Sequence, residues 1–183
     1  MSNDWLVGSD RSDAARERLF GIAAKLIAER GVDRFDLNEL ATRSHCSRAT
    51  IYRHTGGKRQ LVETVFIRTS ARITSAVEQA VTGRTGADRA RTAIAIALRE
   101  IRGDRVASQF IQARDVLSGA RTACRSPAIA AIAAELIGLD PGDSNRSSLA
   151  VRTFLALLLF PPADSADEAN LVDALAAGLL TTA

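Results

Sequence analysis

Residues 36–58 read Asp-Leu-Asn-Glu-Leu-Ala-Thr-Arg-Ser-His-Cys-Ser-Arg-Ala-Thr-Ile-Tyr-Arg-His-Thr-Gly-Gly-Lys. Asp36 is a good N-cap, because its carboxylate can accept from the free backbone N–H groups of the following turn, and Glu39 stands at the reciprocal capping-box position. Phe35 before the cap and Leu40 after it are spaced for a hydrophobic staple, and Leu37, Leu40 and Ala41 give one apolar face. A short helix ending near Ser44 follows. After a turn at Ser44, His45 and Cys46, Ser47 is a second N-cap, and the absence of Gly or Pro from 48 to 54 extends a second short helix to about His54. Two short capped helices joined by a three-residue turn make a helix-turn-helix pattern.

On the second helix Ile51 points back into a small core, and Arg48, Ala49, Tyr52 and Arg53 share the other side, being one, four and five positions apart. That face suits a DNA major groove: two guanidiniums to pair with guanine or phosphate, a small residue that permits close approach, and a hydroxyl. Between residues 37 and 60 the cations are Arg43, Arg48, Arg53, Lys58 and Arg59, against the single carboxylate of Glu39. The stretch is a local basic island.

The run Ser47-Arg48-Ala49-Thr50-Ile51-Tyr52-Arg53-His54, followed by Lys58, resembles the TetR-type (tetracycline-repressor-like) transcriptional regulators. The resemblance is specific over roughly residues 15–61 and architectural beyond them. It implies that Tyr52, His54 and Lys58 hold DNA phosphates, and that Arg43, Ser47, Arg48, Ala49, Thr50 and Arg53 contact bases or backbone. It also implies a homodimer joined through the last two helices. Three positions depart from the usual pattern. The turn reads Ser44-His45-Cys46 where Ala-Gly-Val is common, although His is among the better tolerated residues in a left-handed turn. Thr55 stands where a Phe usually anchors the helix end, and Gly56-Gly57 follows, a combination expected to loosen the end of the second helix.

The rest of the chain fits an all-α protein with two parts. Of 183 residues 46% are hydrophobic and only 4% aromatic, a balance that favours close helix packing over a β-sandwich. The formal charge of +3 excludes a histone-like general binder. Two cysteines, Cys46 and Cys124, without paired spacing suit a reducing cytoplasm. The N-terminal residues lack the pattern of a signal peptide, and the longest apolar run, residues 154–160, is far short of the roughly 18 residues of a membrane span. A cytoplasmic protein without membrane attachment is expected.

Residues 1–11 show no periodicity and are expected to form a flexible arm, from which Arg11 could reach a minor groove or simply be solvated. From Ser12 the apolar residues Ala15, Leu19, Ile22, Ala23, Leu26 and Ile27 recur at helical spacing until Gly31 supplies a stop. This helix covers the helix-turn-helix, giving an expected DNA-binding domain over residues 12–57. Residues 58–183 are expected to form a helical effector-binding and dimerisation domain. Its long first helix, over 58–81, suits a rod that carries movement to the head. Further helices are expected over 87–102, 105–117, 127–136, 147–160 and 166–180, with a connector over 118–126 and a loop over 138–145. Leu149, Phe154, Leu157, Leu158, Leu159 and Phe160 make the penultimate helix too apolar for a surface helix, so it is either central to a core or packed on a partner chain.

An apolar cavity for a small-molecule effector would draw on Phe66, Leu98, Phe110 and Arg114, though nothing in the sequence names the ligand. His45 and His54 flank the second helix without carboxylate or Cys ligands at metal-binding spacing, so no metal or other cofactor is expected. No nucleophile motif, phosphate loop or paired-carboxylate spacing indicates an enzyme. The expected function is a transcriptional regulator, a repressor released from a palindromic operator in double-stranded DNA by its effector. The alternative is a helical ligand-binding or scaffold protein whose head has lost DNA binding.

Overall fold

The computed structural model describes residues 4–140 and 142–180, with side chains from residue 12 onward. Among the described residues it holds ten helices and no strand: α1 (Asp4–Arg30), α2 (Leu37–Ser44), α3 (Arg48–Thr55), α4 (Lys58–Val81), α5 (Gly86–Gly103), α6 (Ala107–Ile111), α7 (Val116–Arg125), α8 (Pro127–Ile137), α9 (Ser144–Leu159) and α10 (Ser165–Leu180). The all-α expectation holds.

The chain divides into two compact units. One comprises the residues up to Ser70 together with Arg105–Ala113; the other comprises Ala71–Asp104 and the residues from Arg114 onward. This differs from the expected boundary at 57/58, and the reason lies in the core of the first unit. Leu61 and Val65, on the opening turns of α4, are buried with Leu19, Phe20, Ala23, Leu26, Ile27, Phe35, Leu37, Leu40 and Ile51. Val106 and Phe110, from the segment around α6, pack on the same cluster. Two eight-residue helices cannot bury enough apolar surface alone. They need α1, the start of α4 and this distant segment.

α1 begins at Asp4, so residues 4–11 are helical where a flexible arm was expected. Only Gly8 argues against helix in that stretch, at about 1 kcal/mol, and extending an existing helix avoids the cost of nucleation. Residues 1–3 and the side chain of Arg11 lie outside the described residues. At the other end Gly31, with φ of 83°, donates its N–H to the Ile27 carbonyl at 2.8 Å and stops the helix.

α1 and α4 are tied on their exposed sides. Arg68 donates both terminal nitrogens to the Glu17 carboxylate at 2.6 Å and lies 4.3 Å over the Phe20 ring. The paired hydrogen bonds hold the Glu17 carboxyl below its ordinary value of 4.5 and raise the Arg68 guanidinium. A group depressed on folding contributes stability above its unfolded pKa, and that contribution is lost as pH falls through the folded value. In Arg68→Ala the Glu17 carboxyl should titrate back near 4.5, as followed by carboxyl-carbon NMR.

In the second unit α5 packs on α8, α9 and α10, and α8 packs on α9. Its buried side chains include Val77, Val81, Ala90, Ile94, Leu98, Ala134, Ile137, Ala150, Leu158, Ala176 and Leu179. Arg102 bridges three elements, donating to Glu168 of α10 at 2.6 Å and to the Leu157 carbonyl of α9 at 2.8 Å. One expectation fails here. The helix expected over 105–117 stops at Ile111, and the connector expected over 118–126 is instead helix α7 up to Arg125. Val116, Ala120, Ala123 and Cys124 lie half-buried on this helix, which packs on α8 and α9. That packing offsets the helix-weakening Gly119. Among the described residues, no helix is long and apolar enough to cross a membrane.

Candidate nucleic-acid interface

The local chemistry of the helix-turn-helix is as the side chains require. The Asp36 carboxylate accepts from the Asn38 N–H at 3.2 Å, opening α2. His45 ends it in the left-handed region, at φ 55° and ψ 38°. Cys46, half-buried, donates its thiol to the Ser44 carbonyl at 3.5 Å and fills the turn. Ser47 then opens α3, its hydroxyl accepting from the Thr50 N–H at 3.1 Å.

α3 divides sharply into two sides. Ile51 is fully buried and Thr55 nearly so. Arg48, Ala49, Tyr52 and Arg53 are all exposed, with Thr50 partly covered. Among the described residues neither Arg48 nor Arg53 has an ion-pair partner, so both guanidiniums are free to meet an anionic ligand. The expected loosening at the end of α3 is not what the geometry gives. Thr55 satisfies its buried hydroxyl by donating to the Ile51 carbonyl at 2.8 Å, and Gly56, at φ 71°, closes the helix by donating its N–H to the Tyr52 carbonyl at 2.8 Å. Gly57, at φ 101°, lies so close to Tyr52 that a Cβ would fall 2.7 Å from the ring. The glycine pair is therefore both the cap of α3 and the bed of the Tyr52 ring.

Besides Ser47 and Thr50, whose hydroxyls lie 2.9 Å apart, three of the expected DNA-contacting residues have partners within the first unit. Arg43 is held by carboxylates of both α1 and α2. His54 places Nδ1 3.5 Å from the Ser12 hydroxyl, and its carbonyl accepts from Arg16 Nε at 3.2 Å. Lys58 donates to the Phe35 carbonyl at 2.5 Å and sits 5.9 Å over that ring. An ammonium has three donors, so two remain for a phosphate.

The family model described as bacterial regulatory proteins, tetR family, matches residues 21–65, the span of these caps, the turn and the start of α4. Two uncharacterized HTH-type transcriptional regulators, from two strains of Mycobacterium tuberculosis, are each 30% identical to the chain over 195 residues, covering 98% of this chain and 92% of each relative. The chain belongs to the TetR family. It is a helix-turn-helix transcriptional regulator. The fold is shared with the crystal structure of a candidate transcriptional regulator from Streptomyces coelicolor A3(2), at a TM-score of 0.59 and 24% identity over 92% of this chain and 99% of that one.

The four residues considered for an effector are not brought together within either unit of this TetR-family chain. Phe66 and Phe110 belong to the first, their rings edge to face with centroids 5.0 Å apart. Leu98 is a core residue of the second, and Arg114 is exposed there. Sequence reasoning also missed the supports of the TetR-type head, Arg16 against the last turn of α3 and Arg68 against Glu17. These partners lie 38 and 51 positions apart, where no local spacing could signal them.

Proposed function

We propose that the protein binds a palindromic operator as a homodimer and represses transcription until a small molecule releases it. The observation that carries this is the exposed face of α3, where Arg48, Ala49, Tyr52 and Arg53 stand together on a helix fixed by two caps and by buried Ile51. Contact roles for Arg48, Ala49, Thr50 and Arg53 in the groove, and for Ser47, Tyr52, His54 and Lys58 at phosphates, follow from that face and from the family. A two-fold dimer would present two such faces to two half-sites. The test is fluorescence anisotropy against duplexes tiled from the DNA flanking the gene, with random competitor. Saturable binding to one near-palindromic duplex is expected; binding without sequence preference that vanishes with salt would overturn the proposal.

Dimerisation through α9 and α10 is supported by exposed apolar side chains. Leu149 of α9, Phe160 just past the end of α9 and Leu171 of α10 are 49%, 72% and 48% exposed. Leu149 and Ala156 share one exposed side of α9. Phe160→Asp should shift the protein from dimer to monomer in light scattering, with its helical content unchanged. The second unit would also hold the effector, which acts only by its differential affinity for the DNA-competent and incompetent states.

A further inference from the structure

Of the residues that the family resemblance assigned to DNA, Arg43 is the one held by two carboxylates. Its Nη1 lies 2.7 Å from the Glu29 carboxylate, on the last turn of α1, and its Nη2 donates to Glu39 of α2 at 2.8 Å. The same Glu39 oxygen accepts from Arg30 Nη2 at 3.2 Å. Four charges thus alternate from α1 to α2 and sum to zero. Each terminal nitrogen of Arg43 meets one carboxylate, and the hydrogen bonds to Glu29 and Glu39 raise its pKa. A phosphate recruiting Arg43 would have to compete with two carboxylates already in contact with it.

We propose that Arg43 is a positioning residue, locking α2 to the end of α1 so that α3 meets DNA at a fixed tilt, rather than a DNA contact. Leu37 and Leu40 seat one side of α2 in the core. The ion pairs hold its last turn, immediately before the three-residue turn into α3. A small roll of α2 is carried by that turn into the exposed face of Arg48, Ala49, Tyr52 and Arg53. Linked ion pairs act together where an isolated surface pair contributes little. Glu39 therefore serves as a strut, although its spacing suits a capping box.

The assignment rests on the head being a DNA reader, and the signs of the effects separate it from a charge contact. Removing a carboxylate near DNA should, by electrostatics alone, tighten binding to every duplex. A strut predicts the opposite for Glu29→Gln: weaker binding to the cognate duplex with random duplex little changed, so that the preference falls about threefold, the size of a modest ion-pair network. Arg43→Ala should lower that preference by a similar factor while leaving the slope of log K against log salt unchanged. A lost phosphate contact would instead reduce the slope by about 0.9. Tighter binding by Glu29→Gln, or a reduced slope in Arg43→Ala, overturns the assignment. Urea denaturation of the two single variants and the double variant judges the strut without DNA, so a wild-type protein that prefers no duplex would count against the DNA-reading head alone. A double variant no less stable than the weaker single is expected, and strictly additive losses overturn the strut.

Discussion

Ile51→Ala should lower the unfolding free energy by about 2–5 kcal/mol, seen as a lower urea midpoint at unchanged slope. Ile51 is the one large apolar side chain that α3 places in the core, and it is fully buried among Leu40, Leu61 and the face of α1. Truncation removes transfer free energy and leaves a cavity that neighbours from three helices cannot all fill. The loss is a large fraction of the roughly 5–15 kcal/mol that holds a typical domain folded. Arg53→Ala, two residues away on the exposed side, should change stability by no more than about 0.5 kcal/mol. An equal loss in both would mean that α3 is held by its caps and not by its core contact.

The caps of α2 and α3, the left-handed His45, the stop at Gly31 and the buried Ile51 were legible because each depends on neighbours within a turn or two. The break after Ile111 was not, since residues 112–115 contain neither Gly nor Pro. Helix α7 was hidden for the converse reason, because Ser118 and Gly119 look like a connector while packing on α8 and α9 keeps them helical. The compact units crossed the expected boundary because Leu61, Val65 and Phe110 complete a core whose other members lie far away in sequence. In the candidate interface the side chains that face outward were readable from helical spacing. Those with internal partners, Arg43 to Glu29, Lys58 to the Phe35 carbonyl and His54 to Ser12, were not. Composition shows that a cation is present, but only the fold shows whether it is already taken.

Arg48→Ala should weaken binding to the preferred duplex by about 1–3 kcal/mol, a rise in Kd of about 5- to 150-fold, with a much smaller loss on random DNA. Arg48 is the first residue of α3, and the N-terminal residues of a recognition helix lie nearest the base edges. Neighbouring Ala49 has no bulk to hold the backbone away from the groove. Lys58 opens the next helix, so it is better placed for the sugar-phosphate edge. Lys58→Ala is therefore the matched control: it should weaken preferred and random duplexes alike and flatten the salt dependence by about one phosphate. Anisotropy on both duplexes at two salt concentrations separates the two roles. Equal losses for Arg48→Ala on preferred and random DNA would take Arg48 off the bases and leave sequence reading to Thr50, Arg53 or the shape of the operator.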